Sequence, residues 1–174
     1  MEAIKKAEIY TDGSYNKDIK GITRGGVVIL FNDEPYAFIQ IVTKRNIYVS
    51  QWNIGGELIA AQFGLNMALN EIQQFKAAGL EVPDCLDVYH DWVGINDLVR
   101  PNPSNGKMFK SQKDGCVFYK NFFKELGKRY PTQINFWWIK SHSGNRWNEV
   151  VDELAKGYWP MGPYDKVIRK EITF

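Results

Sequence analysis

The chain has 174 residues, of which 44% are hydrophobic and 14% aromatic, so it can form one domain with a sizeable core and is not a disordered tail. A formal net charge of +2 is too small to indicate nucleic-acid binding by itself. Cys85 and Cys116 lie far apart without metal-ligand spacing, which indicates free thiols and a cytoplasmic protein. No apolar run reaches membrane-spanning length and no cleavable leader is evident, so neither membrane insertion nor secretion is expected.

The N-terminal part of the chain has the pattern of a strand followed by a hairpin. Apolar and bulky β-forming residues alternate over 7–11, and a Gly-Ser pair ends this strand directly after Asp12. Two further β-rich runs, 25–31 and 35–42, are separated by a short polar loop. We therefore expect three neighbouring strands at the start of the chain.

The rest of the chain alternates between predicted helices and strands. Apolar residues recur at three- and four-residue steps from Leu58 to Ile72, which predicts a long amphipathic helix over 57–72. The later pattern predicts strands at 85–89 and 134–139, an exposed loop at 100–115, and helices at 93–98, 116–130 and 147–156. This order favours an α/β fold with one mixed sheet and helices on its faces. One domain is expected over 1–157, and the tail 158–174 has no assignable structure.

Four carboxylates lie near the ends of these predicted elements. Asp12 and Asp91 each follow a strand, Glu57 opens the long helix, and Asp152 lies one turn into the last helix. An Asp-Gly pair after a strand is also common as a simple turn, so Asp12 alone does not establish a site. If all four converge, they will raise one another's pKa unless cations intervene, and oxygen ligands favour Mg²⁺ or Mn²⁺ over zinc. The spacing alone leaves this convergence open.

Several motifs resemble, in order and spacing, those of type 1 ribonuclease H. They are Thr11-Asp-Gly-Ser14, Gly56-Glu-Leu-Ile-Ala-Ala61, Tyr89-His-Asp91, and Ser141-His-Ser-Gly144 followed by Asn148-Glu-Val-Val-Asp-Glu-Leu-Ala155. The resemblance spans residues 7–156. It implies the ribonuclease H-like fold, in which a five-stranded mixed sheet is flanked by helices.

The resemblance also implies an endoribonuclease that hydrolyses the RNA strand of RNA–DNA hybrids. The family's catalytic acids, which are also its metal ligands, match Asp12, Glu57, Asp91 and Asp152, and its mobile catalytic histidine matches His142. Two Mg²⁺ ions, for which Mn²⁺ can substitute, would lie about 3.5–4 Å apart, activate water and stabilise the departing 3′ oxygen. The products would carry 5′-phosphate and 3′-hydroxyl ends. The expected partner is the hybrid, bound by a monomer.

Candidate substrate contacts come from the same motifs and from a lysine-rich helix. Those in or beside the motifs are Gly13, Ser14, Asn53 and Asn148. In the predicted helix 116–130, Lys120 and Lys124 lie away from an apolar stripe and are candidates for phosphate contacts. A solvated helix face would have the same pattern, so both interpretations stay open.

Two departures from the family pattern affect the expected substrate contacts. Trp92 follows Asp91 where familiar members have serine. Some members also have a tryptophan-rich basic segment, called the basic handle, before the last predicted helices. A loop rich in Pro, Asn and Lys stands in its place here, which lowers the expected hybrid affinity.

Other aromatic residues and one histidine lie near the motifs. At least one of Trp137 and Trp138 is expected in the core, whereas Trp147 is the better candidate for surface stacking. His90 is expected to point away from the acids, because side chains alternate along a strand.

Two other functions are compatible with these features. A DNA-cutting nuclease is one, since fold alone does not determine the substrate. A catalytically silent nucleic-acid-binding module is the other, and its expected signature is the loss of an acid. No acid is missing from the motifs, so the hybrid-cleaving ribonuclease is the leading hypothesis.

Overall fold

The computed structural model describes residues 3–16, 18–19, 21–50, 52–95, 121–126, 128 and 132–174. In this part of the chain the strands are β1 (Ala7–Ser14), β2 (Thr23–Phe31), β3 (Glu34–Thr43), β4 (Cys85–His90), β5 (Gln133–Trp138) and β6 (Ile168–Thr173). The helices are α1 (Asn46–Val49), α2 (Asn53–Ala77) and α3 (Arg146–Lys156). Residues 121–126 are also helical. Residues 96–120 lie outside the described residues, and with them the whole predicted loop 100–115 and the first part of the predicted helix 116–130.

All the described strands belong to one mixed sheet with the order β5-β4-β1-β2-β3-β6. The first three strands form an antiparallel meander, β4 and β5 run parallel to β1, and β6 runs parallel to β3. The prediction of a mixed sheet flanked by helices is confirmed. Because Thr11 lies opposite His90 in the sheet, the residues that follow them, Asp12 and Asp91, lie side by side at the ends of neighbouring parallel strands.

The sheet is buried on both faces by the helices. On one face, Val27 and Ile39 belong to a buried cluster that includes α2. On the other face, Val28 and Phe38 belong to a second cluster with Val151 of α3. Since successive side chains of a strand point to opposite faces, a strand covered on both sides must be apolar at nearly every position. This explains the continuous apolar runs in β2 and β3.

Helix α2 begins four residues before its predicted start and ends five residues after its predicted end, at Asn53 and Ala77. The predicted helix began at Glu57 and so left Gly55 and Gly56 outside it. Both glycines instead lie in the first turns of the helix, where a Cβ on Gly55 would meet the Tyr48 backbone and one on Gly56 would meet the Arg24 carbonyl oxygen. No helix in the described part of the chain is both long enough and apolar enough to cross a membrane.

The C-terminal tail supplies a strand that the sequence did not predict. Strand β6 pairs with β3 along Ala37 to Val42, so the sheet has one strand more than the five expected. The tail also inserts Tyr164, which is 8% exposed and packs edge-on against Phe38 with ring centroids 5.0 Å apart. The strand was missed because five of its six residues are exposed, so it lacks the alternation of a half-buried strand.

The glycines of β2 set how closely the helices approach the sheet, and Gly26 provides a test. A methyl group there would meet the backbone of α3 at the Val151 carbonyl oxygen and, at 2.7 Å, the Ala155 nitrogen. We expect Gly26→Ala to lower the free energy of unfolding by about 1–3 kcal/mol, measured by urea denaturation.

Gly64→Ala is the matched control. Its methyl group would meet only side-chain ends, with Val27 Cγ1 the closest at 2.9 Å, and alanine is favoured over glycine in a helix by about 1 kcal/mol. Equal losses in the two variants would contradict the tight contact between β2 and α3.

Candidate active site

Two strand ends and one helix bring three acids together. Asp12 lies in β1 where this strand pairs with Gly26 of β2, and Asp91 directly follows β4. Glu57 lies in the second turn of α2. One carboxylate oxygen from each of these acids lies within 4.8 Å of one from each of the others. The convergence that the sequence left open is therefore present for Asp12, Glu57 and Asp91.

Close backbone packing places Glu57 next to the C-terminal end of β1. A Cβ on Gly13 would overlap the Glu57 backbone nitrogen and would lie 2.7 Å from the Asn53 carbonyl oxygen. Only glycine fits at this contact, because every L side chain begins with a Cβ. Gly13 therefore determines how near α2 comes to Asp12, and it explains the glycine of the Asp-Gly pair by packing rather than by a turn.

The fourth acid faces the same cavity but has a cation partner. An acidic cleft of about 300 Å³ is lined by Asp12, Gly13, Asn53, Ile54, Glu57, Asp91, Trp92 and Asp152. Asp152 reaches it from α3, and its Oδ2 lies 2.6 Å from Lys156 Nζ, four residues further along the helix. Lys156 was not among the predicted site residues, although its i,i+4 spacing from Asp152 is visible in the sequence.

Burial and mutual repulsion make the ionised cluster unfavourable. Burial and the neighbouring charge of Asp91 raise the pKa of Asp12 from 3.8 to about 7. The pKa of Glu57 is raised well above its ordinary value, first by burial and then by the charge of Asp12. Glu57 Oε2 is buried and receives no hydrogen bond from the described residues. An unpaired oxygen in a cluster of hard oxygen donors fits a divalent cation such as Mg²⁺ or Mn²⁺.

Hydrogen bonds fix the two carboxylates at the strand ends. The Gly13 backbone N–H donates to Asp12 Oδ1 at 2.8 Å. Ser141 Oγ donates to Asp91 Oδ2 at 2.5 Å, and the Trp138 indole N–H donates to the Asp91 carbonyl oxygen at 2.8 Å. Ser141 and Trp138 are thus supports of Asp91 that the sequence did not identify. Both belong to recognisable segments, but neither spacing nor residue type indicated which group they would contact.

The other predicted site residues differ in how near they lie to the acids. Gly13 and Asn53 line the acidic cleft, and Ser14 lines a neighbouring pocket. Asn148 is 5% exposed in the first turn of α3, and its backbone N–H donates to the side chain of Asn145.

The two lysines predicted to contact phosphate are Lys120 and Lys124. Lys124 is exposed on the helical segment 121–126 and does not line the acidic cleft. Lys120 lies outside the described residues.

His142 lies on an exposed turn between β5 and α3. Its φ of 52° falls in the left-handed region. The side chain lines a groove that also contains Asp152 and Lys156. His142 is therefore on the side of the site where Asp152 lies, and it is outside the cluster formed by the other three acids.

The aromatic residues and His90 only partly follow the predictions. His90 is fully buried and its Nδ1 lies 3.0 Å from the Trp92 carbonyl oxygen, so it points away from the acids as expected. Trp137 and Trp138 are 51% and 50% exposed, so the expectation that one is core is wrong. They lie on β5, which is an edge strand of the described sheet.

Trp147 is partly buried under Arg146, whose Cζ lies 4.6 Å from the centre of the indole ring. It is therefore a poorer stacking surface than predicted.

The family model for RNase H matches residues 4–158. The chain belongs to the RNase H family. Two curated relatives named Ribonuclease H are each 28% identical to this chain over 156 residues, which is 87% of this chain and 94% of the relative. They come from Wolbachia sp. subsp. Drosophila simulans (strain wRi) and from Wolbachia pipientis wMel. The resemblance to this family is confirmed, and membership supports ribonuclease activity on RNA–DNA hybrids in general.

Solved structures have the same fold. RNase H1 from the halophilic archaeon Halobacterium salinarum NRC-1 is similar with a TM-score of 0.57 at 13% identity, covering 88% of this chain and 99% of that one. The native prototype foamy virus protease-reverse transcriptase is similar with a TM-score of 0.60 at 14% identity, covering 94% of this chain and 22% of that one. At these identities the likeness shows the fold alone.

The raised pKa of Asp12 predicts how stability depends on pH in the metal-free RNase H chain. Between 3.8 and about 7 the folded chain keeps a proton on Asp12 that the unfolded chain releases. The free energy of unfolding therefore falls as pH rises through this window. We expect Asp12→Asn to be more stable than wild type above the window, by about 2–4 kcal/mol.

Urea denaturation in the presence of a chelator, at acidic and at alkaline pH, measures this difference. Asp84→Asn, at an exposed position outside the acidic cleft, is the control and is expected to follow wild type. If the free energy of unfolding of Asp12→Asn depends on pH as that of wild type does, the raised pKa of Asp12 is contradicted.

Proposed function

We propose that the protein is a metal-dependent endoribonuclease that cuts the RNA strand of RNA–DNA hybrids. The observation that carries this proposal is the mutual approach of Asp12, Glu57 and Asp91 within 4.8 Å, in a member of the RNase H family. Such a cluster is unfavourable when ionised and becomes favourable when it holds cations. The products would carry 5′-phosphate and 3′-hydroxyl ends.

The four acids divide into two groups with different roles in holding two divalent ions. Asp12 would be shared, Glu57 and Asp91 would complete one site, and Asp152 the other. Bound there, Mg²⁺ or Mn²⁺ would supply an activated water and would stabilise the negative charge that develops on the departing oxygen. Ser141 and the Gly13 N–H keep the carboxylates of Asp91 and Asp12 in place, so these ligands lose little freedom on binding.

His142 is the proposed proton carrier. It lies on an exposed turn and lines the same groove as Asp152, so it lies on the side of the site where Asp152 would hold the second ion. A histidine is suited to this task because its proton exchanges near neutral pH. The four exposed residues from Ser141 to Gly144 give the turn few packing restraints.

The requirement for RNA is proposed to come from residues at the floor and rim of the acidic cleft. Asn53 and Glu57 both line the cleft, and a carboxylate or amide there can hydrogen-bond a ribose 2′-hydroxyl. This contact would be absent when the strand at the cut is DNA, so the proposal predicts that a DNA strand is not cut. A catalytically silent binding module is disfavoured because all four acids face one cavity.

Cleavage of end-labelled duplexes tests the activity. In Mg²⁺, we expect wild type to cut only the RNA strand of an RNA–DNA hybrid, and to leave RNA–RNA and DNA–DNA duplexes intact. A chelator should abolish cutting, and Asp12→Asn should lower it by about 10³-fold or more, since it removes the shared ligand.

Glu81→Gln is the control, because Glu81 is exposed and lines neither the acidic cleft nor the groove of His142. It is expected to cut at the wild-type rate. Wild type that binds the hybrid but cuts nothing in Mg²⁺ or Mn²⁺ would support the silent binding module, and cutting of the DNA duplex would support the DNA nuclease.

His142→Asn tests the proton carrier, and asparagine is chosen because it tolerates the positive φ of 52°. We expect kcat to fall by roughly 10²-fold with little change in KM, because general acid–base catalysis contributes on this scale. Steady-state cleavage across a pH series is the measurement. An unchanged kcat and pH profile would remove His142 from the mechanism.

A further inference from the structure

A second, cationic pocket adjoins the acidic cleft. It has a volume of about 370 Å³, and its lining includes Ser14, Tyr15, Arg24, Lys156 and Tyr158. Among the described residues the lining contains two cations and no carboxylate. The acidic cleft beside it is lined by four carboxylates and no cation. The two cavities thus have opposite charge and a shared border.

The border between the cavities is formed by residues next to the proposed metal ligands. Ser14 follows Asp12 and Gly13 in β1, and Lys156 follows Asp152 by one helical turn. The 2.6 Å contact between Lys156 Nζ and Asp152 Oδ2 joins the two cavities directly. A group bound in the cationic pocket would therefore be a close neighbour of a group bound at Asp152.

Arg24 is the cation of this pocket that forms no ion pair with a described residue. It lies on β2 opposite Ser14, and among the described residues no carboxylate pairs with its guanidinium group. Its NH1 lies 3.1 Å from where a Cβ would stand on Gly157, so a side chain at 157 would crowd the guanidinium. A half-buried guanidinium beside hydroxyl groups is suited to an anion with several oxygens, because its planar fork donates two parallel hydrogen bonds.

We propose that the cationic pocket binds a backbone phosphate of the nucleic acid, next to the phosphate that is cut. This inference rests on the proposed function, since it assigns a further contact to the same substrate. Arg24 donates to the phosphate oxygens, the hydroxyl groups of Tyr15 and Tyr158 provide neutral donors, and Lys156 adds charge at the border. The contact offsets the repulsion between the substrate backbone and the acids, and it carries no sequence information.

Hybrid binding by Arg24 variants tests the proposal. Fluorescence anisotropy of a labelled RNA–DNA hybrid, in chelator to prevent cutting, is followed over a series of salt concentrations. We expect Arg24→Gln to weaken binding roughly three- to tenfold at low salt and to reduce the slope of log K against log salt by about 0.9, the loss of one phosphate contact. Arg24→Lys should keep the slope, because it keeps the charge.

Two further variants separate this contact from general effects. Arg169→Gln removes an exposed arginine of β6, which does not line either cavity, and should leave affinity and slope unchanged. Tyr158→Phe removes one hydroxyl group from an exposed residue and should weaken binding by less than Arg24→Gln without changing the slope. In Mg²⁺, Arg24→Gln should raise KM for the hybrid more than it lowers kcat.

The outcomes distinguish this inference from the proposed function. If wild type cuts the hybrid but Arg24→Gln keeps the wild-type affinity, salt slope and KM, the pocket does not bind the backbone and the inference is overturned. If titration with inorganic phosphate alone shows Arg24-dependent binding while hybrid affinity is independent of Arg24, the site is one for free phosphate, which also overturns it. If wild type does not cut, the proposed function fails, and the salt slopes still decide whether Arg24 contacts a backbone phosphate.

Discussion

The contact between the end of β1 and the first turns of α2 is the constraint on which the site depends. A Cβ on Gly13 would overlap backbone atoms of α2. A Cβ on Gly56 would overlap backbone atoms of β1 and of Arg24. This approach places Glu57, which is 5% exposed, beside Asp12 and Asp91. The resulting loss of solvation raises the pKa values of Asp12 and Glu57. Packing of the rest of the fold must offset that unfavourable interaction.

A second close contact places the fourth acid. Gly26 of β2 lies against the backbone of α3, which carries Asp152 toward the acidic cleft from the opposite face of the sheet. Lys156 neutralises Asp152, whereas the other three acids have no such cation within the described residues. The site is therefore asymmetric in charge, with three acids that no described cation pairs with on one side and the cationic pocket of Arg24 and Lys156 on the other. This asymmetry suits a reaction at a phosphodiester.

The sequence predicted the parts of the site that depend on local order and missed those that depend on long-range contacts. Asp91 follows a strand as predicted, because alternation shows where β4 stops. The first strand was predicted to end at Gly13 and Ser14, but both continue the pairing of β1 with β2, so Asp12 lies inside the strand. The start of α2 was misplaced because Gly55 and Gly56 are typical of loops unless the neighbouring backbone is known. Strand β6 was missed because an exposed edge strand lacks apolar alternation. Trp137 and Trp138 were misjudged because nothing local shows that β5 lies at the edge of the sheet.

Titration of Mn²⁺ into wild type and Glu57→Gln, followed by calorimetry, tests most directly that this packing builds a cation site. The variant keeps the size of the side chain and removes one charge from the cluster, so the fold need not change. The account predicts saturable binding to wild type and at least tenfold weaker binding to Glu57→Gln, as expected on losing a charged ligand. Wild type that shows no saturable binding, or a variant that binds as tightly as wild type, would contradict it.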